Sequence, residues 1–449
     1  MTRAACVDVG STYTKVAVVD VTSGELLAAA SHPTTSSTDV LHGLDVAVRA
    51  TGLTPDLTYV CSSAGGGLRL AVVGYEALVS AEAGRRVALS AGARVVHVTA
   101  GRLSTDGVRA LRAARPDVVL LVGGTDGGDA DTLLHNATRL GAARWRRPVV
   151  LAGNADAAAD AARALRDTPF VTCDNVLPRV GDLRPGPART AIRDVFLRHV
   201  IGGKGLSRGR RFASLVRAAT PDAVLTGVEL LARAHPGSGL LVVDVGGATT
   251  DVYSVVAPTG PDPEVAGTAW HGRTVEGDLG VRWSATGVIE AAAAERIPAP
   301  ADPGADPGAD LAADLAADLA AAADASAADP GRPADPRTDL PLATLAAIVA
   351  VRRHARGEAV AAGVRRGGRD LREVSLVIGS GGVLRHAPPD RARSVLAAVT
   401  GDLAGGWSVP RAPRLAVDTS YVLAPAGLLA PDHPEAAATL LRAHLLHPA

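Results

Sequence analysis

Three short segments carry residue types that can hold a polyphosphate. They are Asp8-Val-Gly10-Ser11-Thr12-Tyr-Thr14-Lys15, Asp244-Val-Gly246-Gly247-Ala-Thr249-Thr250-Asp251 and Val377-Ile378-Gly379-Ser380-Gly381-Gly382. A phosphate chain is bound by backbone N–H groups pointing inward, and small residues let the chain come close. Ser and Thr hydroxyls add donors. An aspartate at a strand end, just before the glycines, can hold Mg²⁺ through water. Two such hairpins, one in each half, can clasp a polyphosphate from both sides, and a Gly-Ser-Gly-Gly loop after a buried strand lets a nucleoside approach. No GxxxxGK[ST] segment occurs, so a P-loop NTPase is not indicated. Taken singly, each segment also reads as an ordinary tight turn.

The elements around these segments repeat. Ala4–Val9, Lys15–Asp20 and Glu25–Ala30 read as an antiparallel meander, turning at Gly10–Tyr13 and at Thr22-Ser23-Gly24. A helix is expected from Asp39, a good N-cap, to about Ala50, with Val40, Leu44, Ala47 and Val48 on one face. The order of strand, Gly/Thr-rich hairpin and strand returns at Leu240–Val245 and Val252–Ala257. Between the two copies, strands at 94–99, 117–122, 148–152 and 170–172 alternate with helices, which predicts a parallel sheet covered on both faces. Its loops Gly123-Gly124-Thr125-Asp126-Gly127-Gly128 and Gly153-Asn154-Ala155-Asp156 fall at strand carboxyl ends, where open α/β sheets place ligands. The expected division is 1–92, a first subdomain with its hairpin; 93–180, the parallel segment; 181–239, a helical return; and 240–449, a second half. That second half includes a disordered insertion at about 298–341, rich in Asp-Pro-Gly and Ala-Asp-Leu-Ala units, of which the second part could form a weak helix and the Asp-Pro-Gly units could not.

Composition narrows the function. The 449 residues balance 46 Lys+Arg against 46 Asp+Glu, and aromatics are 3%, which argues against a nucleic-acid binder. No apolar run is long enough to span a membrane, and no leader is visible, so a cytoplasmic chain is expected. Cys6, Cys61 and Cys173 are far apart, without metal-binding spacing, and Cys6 reads as a buried structural thiol. His97, His199 and His271 have no partners at metal spacing, and Glu276 and Asp278 read as a solvated turn rather than a catalytic pair.

The three segments in this order resemble the phosphate-1, phosphate-2 and adenosine motifs of the actin/Hsp70/sugar-kinase superfamily. Together with GGTDGG at 123–128, GNAD at 153–156 and EGDLGVR at 276–282, they look like the glutamate mutase accessory family, called GlmL or MutL. The resemblance runs over nearly the whole chain outside 298–341. It implies an α/β, two-lobed actin-like ATPase (ribonuclease H-like) fold with an additional parallel α/β segment in the first half. Asp8 and Asp244 would orient Mg²⁺. Gly10, Ser11, Thr12 and Lys15 would hold phosphates from one side, and Gly246, Gly247, Thr249 and Thr250 from the other. Gly379, Gly381 and Gly382 would line the adenosine. Asp251 would either join Asp8 and Asp244 as a catalytic acid or cap its turn. The cofactors implied are ATP and Mg²⁺, and the partners are the subunits of an adenosylcobalamin-dependent mutase such as glutamate mutase, with a homodimer also in view. The role implied is a chaperone or reactivating factor driven by slow ATP hydrolysis.

Three alternatives stay open at this point. A small-molecule kinase of the same fold would need a carboxylate base, for which Asp126 is the candidate. An activator of a radical dehydratase would need paired cysteines for a cluster. A scaffold that binds nucleotide without hydrolysis is the third. The Gly123–Gly128 loop could bind the mutase or a second small ligand.

Overall fold

A computed structural model describes every residue except 65–67, 78, 201–204, 209–210, 236, 238, 257–270, 301–308, 362–363, 367, 401, 403–405 and 447–449. The chain divides into two compact units. One comprises Met1–Gly227 and Ala424–Thr439, and the other Val228–Ala257, Trp270–Leu423 and Leu440–Ala449.

In the first unit, β1 (Arg3–Val9), β2 (Tyr13–Asp20) and β3 (Leu26–Pro33) form the expected meander. β4 (Leu57–Ser62) lies parallel to β1, and β10 (Val216–Ala219) lies parallel to β4, giving the order β3-β2-β1-β4-β10. Central β1 is buried on both faces, and edge β3 alternates in exposure. The helix Val40–Ala50 packs on this sheet through Val40, Leu44 and Ala47, and the Asp39 carboxylate caps it by accepting from the Leu41 N–H.

A second sheet lies within the same unit. β5 (Arg69–Gly74), β6 (Arg94–Ala100), β7 (Val118–Leu121), β8 (Val149–Leu151) and β9 (Phe170–Thr172) are all parallel, in the order β6-β5-β7-β8-β9. Alternate side chains serve opposite faces. Val118 and Leu120 join the core shared with the first sheet, and Val119 and Leu121 pack under the helices Thr105–Ala113 and Asp131–Ala142. The sequence places the start of this sheet at 93; it starts at Arg69, because β5 is one of its inner strands, between β6 and β7. The expected helical return at 181–239 contains a strand, β10, which completes the first sheet.

The second unit repeats the first sheet. β11 (Gly239–Val245), β12 (Thr250–Val256) and β13 (His271–Glu276) run antiparallel, and β16 (Leu376–Ser380) and β17 (Arg414–Val417) add in parallel, in the order β13-β12-β11-β16-β17. A separate pair, β14 (Glu358–Ala361) and β15 (Val364–Arg366), follows the helix Pro336–Arg356. Two sheets of one strand order, each three antiparallel strands followed by two parallel ones, constitute the duplicated ribonuclease H-like architecture of the actin-like ATPase fold, as the sequence resemblance implies.

Two expectations need correction. The insertion at 298–341 is not disordered over its described length. A helix spans Ala309–Ala328, with Leu319, Ala323 and Ser326 buried at helical spacing, and the next helix begins at Pro336. Its Asp-Pro-Gly part at 301–308 lies outside the described residues. Second, the stretch 240–449 is not all one unit. The helix Leu423–Leu429 packs on the helix Thr220–Ala234 so closely that a Cβ at Gly427 would lie 1.8 Å from the Ala223 carbonyl oxygen. Tyr59 reinforces that seam, with its hydroxyl 3.0 Å from His433 Nε2 and the Arg217 guanidinium over its ring.

Candidate functional site: two glycine-tipped hairpins

The first hairpin joins β1 to β2. The Gly10 N–H donates to the Tyr13 carbonyl at 3.1 Å, and a Cβ at Gly10 would stand 2.8 Å from that same oxygen. Glycine is therefore a steric requirement of the turn. Ser11 is exposed at the tip and Thr12 is half-buried. Asp8 sits at the end of β1 with its side chain buried. Its Oδ1 accepts from the Thr220 hydroxyl at 2.5 Å and lies 3.6 Å from Cys61 Sγ. Its Oδ2 lies 3.7 Å from Lys15 Nζ, which the strand register places directly opposite. The sequence puts Lys15 beside the phosphates, and the structure brings it to Asp8, at the base of the turn.

The second hairpin joins β11 to β12 with the same geometry. The Gly246 N–H donates to the Thr249 carbonyl at 2.9 Å, and a Cβ at Gly246 would lie 2.8 Å from that oxygen. Asp244 faces Asp251 across the pair. The Asp251 carboxylate is held on both oxygens. Oδ1 accepts from Arg273 Nε and Nη2 at 3.0 and 2.7 Å, and Oδ2 accepts from the Thr249 hydroxyl at 3.0 Å. These bonds make Asp251 an anchor of the turn. Thr250 is fully buried and donates to the Leu279 carbonyl, so it braces the hairpin from beneath instead of facing a phosphate.

The segment 276–282 closes over this hairpin. The Val281 N–H donates to the Gly246 carbonyl, and the Arg282 and Trp283 N–H groups donate to that of Gly247. Glycine at 280 is required because a Cβ there would meet Ala248 C at 2.3 Å. Asp278 stands exposed in the turn after β13, as expected, while Glu276 is largely buried. The Arg353 guanidinium bridges them at 2.7 Å to Glu276 and 2.8–2.9 Å to Asp278.

The third segment lies beside the second hairpin, with Ser380 opposite Asp244 in the parallel β11–β16 register. Its glycines do different work. A Cβ at Gly379 would meet Leu384 and Leu396, and one at Gly381, with φ +101°, would lie 2.1 Å from the Val245 oxygen. At both positions a side chain would collide with protein, so glycine is a packing requirement there. Gly382 alone of the three faces open space.

In the parallel sheet, loops 123–128 and 153–156 lock together. Buried Asn154 donates to the Gly128 and Asp129 carbonyls, and Asp126 Oδ1 accepts from the Ala155 N–H and from Asn175 Nδ2. The candidate kinase base is thus a loop staple. The strand order reverses between β5 and β7, whose carboxyl ends lead into Tyr75 and Gly123.

Cys6 and Cys61 are buried, and burial pushes both thiols up, so they stay protonated and are poor cluster ligands. Cys173 is pushed up to about 12 by the same cause. Among the described residues no cluster of three or more His, Cys, Asp or Glu could hold a metal. Mg²⁺ does not need one, since it keeps most of its waters and takes one or two carboxylates plus phosphate oxygens. Asp8 in its hairpin, and separately Asp244 in the other, each offers a hard carboxylate oxygen of that kind at a strand end before a glycine turn. Among the described residues no helix is long and apolar enough to cross a membrane.

Sequence reasoning missed Thr220, Cys61 as a neighbour of Asp8, and Arg273. A Thr-Pro-Asp helix start marks Thr220, but nothing local ties it to a residue 212 positions earlier.

A model of the family described as MutL protein matches residues 4–445. The chain belongs to the MutL family. Protein MutL of Clostridium tetanomorphum is 33% identical over 466 aligned positions, covering 98% of each chain. This is the glutamate mutase accessory family that the motifs resemble, and the match reaches across both units of the MutL chain. Solved structures with some likeness include an activator of 2-hydroxyisocaproyl-CoA dehydratase from Clostridium difficile with bound ADPNP, at 10% identity over 97% of this chain and 96% of that one, TM-score 0.33. Another is a ROK hexokinase from Thermus thermophilus, at 14% identity over 98% and 97%, TM-score 0.28. At those scores the fold rests on the strand orders above, not on these likenesses.

Proposed function

We propose that this MutL-family chain is a nucleotide-dependent accessory protein, a chaperone or reactivating factor, for an adenosylcobalamin-dependent mutase such as glutamate mutase. The observation that carries the reading is the repetition, in sheets of identical strand order, of a hairpin whose acid precedes a glycine that only glycine can occupy. ATP is the ligand. The residues we assign to its phosphates are Gly10, Ser11 and Thr12 of the first hairpin and Gly246, Gly247 and Thr249 of the second, and Gly382 is assigned to the nucleoside. Asp8 and Asp244 hold the waters of Mg²⁺. The ion neutralises phosphate charge when bound. Lys15 offers a second cation once a phosphate draws it from Asp8. Slow hydrolysis suffices for such a role, because the partner responds to which nucleotide is held. The staple role of Asp126 and the protonated, buried Cys6 and Cys61 weigh against the kinase and radical-activator alternatives.

The test is capture of mutase subunits with and without ATP and Mg²⁺, comparing the wild type with Asp8→Ala. Nucleotide-dependent capture by the wild type, lost in the variant at unchanged circular dichroism, is the expected result. Capture that ignores both nucleotide and substitution would sink the proposal, and a phosphorylated metabolite would replace it with the kinase.

A further inference from the structure

The Asp8 carboxylate has two unlike sides. Oδ1 points into the protein, where it takes the Thr220 hydroxyl at 2.5 Å and lies 3.6 Å from the Cys61 thiol. Oδ2 points the other way, to Lys15 at 3.7 Å, and is the carboxylate oxygen nearer the position a Cβ of Gly10 would occupy, at 4.0 Å. Three strands set this up. Asp8 pairs with Cys61 across β1 and β4, and Cys61 pairs with Ala218 across β4 and β10, so the chain leaving β10 delivers Thr220 to the end of β1. Thr220 opens the helix Thr220–Ala234, which fixes its backbone. The neighbouring acid of that helix, Asp222, is bound to Arg189 and Arg193 and does not compete for the hydroxyl.

We propose that Thr220 is the positioning residue of the nucleotide site. Its hydroxyl consumes Oδ1, pins the carboxylate plane, and leaves Oδ2 as the oxygen that meets a water of the Mg²⁺ shell. A hydroxyl donating to a carboxylate is a charge-assisted bond, short and directional, and suits the task of fixing one rotamer. Without it, the carboxylate can turn, and both oxygens share the inner and outer positions. The inference rests on the reading of the Asp8 hairpin as a Mg²⁺–ATP site, and it adds the residue on which metal binding there depends.

The experiment measures the Mg²⁺ concentration that gives half of full ATP binding, by calorimetry on the full chain. It compares the wild type with Thr220→Val, Thr220→Ala and Thr220→Ser. Val and Ala are expected to raise the Mg²⁺ requirement about tenfold, the size of one hydrogen bond to a charged group, and Ser is expected to stay within about twofold of wild type. Binding of ADP without metal should change little in any of them. A merely structural threonine would lower the unfolding temperature and leave the metal requirement alone. Should Val fail to fold, Ala and Ser decide the matter. If the wild type binds ATP with Mg²⁺ and the hydroxyl-free variant matches it, the role of Thr220 is overturned and the site stands. If the wild type shows no Mg²⁺-dependent ATP binding, the site itself falls.

Discussion

Across the strand pair from Asp8 stands Lys15; across the pair from Asp244, in an otherwise matching hairpin, stands Asp251. One hairpin neutralises its acid within the turn's own two strands. The other puts two acids face to face and brings a cation from the third strand, where Arg273 reaches diagonally back to Asp251. The backbone solution is shared, with the same donor, the same acceptor position and the same steric demand for glycine. The charge solution is not. A duplicated scaffold therefore constrains the turn and leaves the balancing charge free to come from any neighbouring strand.

This contrast can be broken most forcefully at Arg273. Arg273→Met leaves Asp251 buried without its ion pair and close to Asp244, and should cost about 3–5 kcal/mol in denaturant unfolding. Asp251→Asn added to it should recover much of that loss. A double variant as unstable as the single one would mean that Arg273 acts through packing on Tyr253 and not through charge.

The second unit also holds a buried histidine that the first lacks a match for among the described residues. His354 lies between the Ser254 and Thr274 hydroxyls, and burial, aided by the Arg369 charge, holds its imidazole down to about 3. An unfolded histidine takes its proton near pH 6.5, so below that value the unfolded chain binds more protons than the folded one. Stability should be full above about pH 6.5 and fall toward pH 3, by about 2 kcal/mol between pH 6.5 and 5. Hydrogen exchange resolved by unit should show the second unit loosening first, and His354→Gln should flatten the slope.

A smaller effect tests the shared part. Gly10→Ala and Gly246→Ala each drive a Cβ to 2.8 Å from a carbonyl oxygen, and each should cost roughly 1–3 kcal/mol. Equal losses support a common turn; a silent substitution in either hairpin removes it. Smallest of all, Lys15→Met should change stability by less than about 1 kcal/mol, since the pair is long and partly exposed, while weakening ATP binding several-fold. A stability loss as large as that of Arg273→Met would erase the contrast.

How much of this was legible in sequence follows the range of the interactions. The hairpins were, because a turn of Gly10 or Gly246 is specified within four residues. The cap at Asp39 was legible for the same reason. β4 and β5 were not legible as members of two sheets, since only six residues join them and the sheet boundary was set at 93. Thr220 and Arg273 act on acids in strands set beside them by the sheet, and no local pattern announces that. The helix Ala309–Ala328 was legible only as a weak one inside an insertion read as disordered, because Asp-Pro-Gly units dominate its flank, although Leu315, Leu319 and Ala323 repeat every fourth residue. At Gly379 and Gly381 the motif glycine also answers to its neighbours in the core, which the sequence does not show.

The insertion of one sheet between two strands of another has a consequence for how the chain is made. β4 and β10 are hydrogen-bonded neighbours separated by roughly 150 residues, all of the five-stranded parallel sheet among them. During synthesis the three-stranded meander and β4 emerge early and wait with an open edge until the insert has folded and brought its own ends together. Such non-local closure is slow. The hydroxyl that steadies Asp8 arrives directly after that last strand, at the start of the helix Thr220–Ala234, so the acid gains its partner only once the inserted sheet has been made.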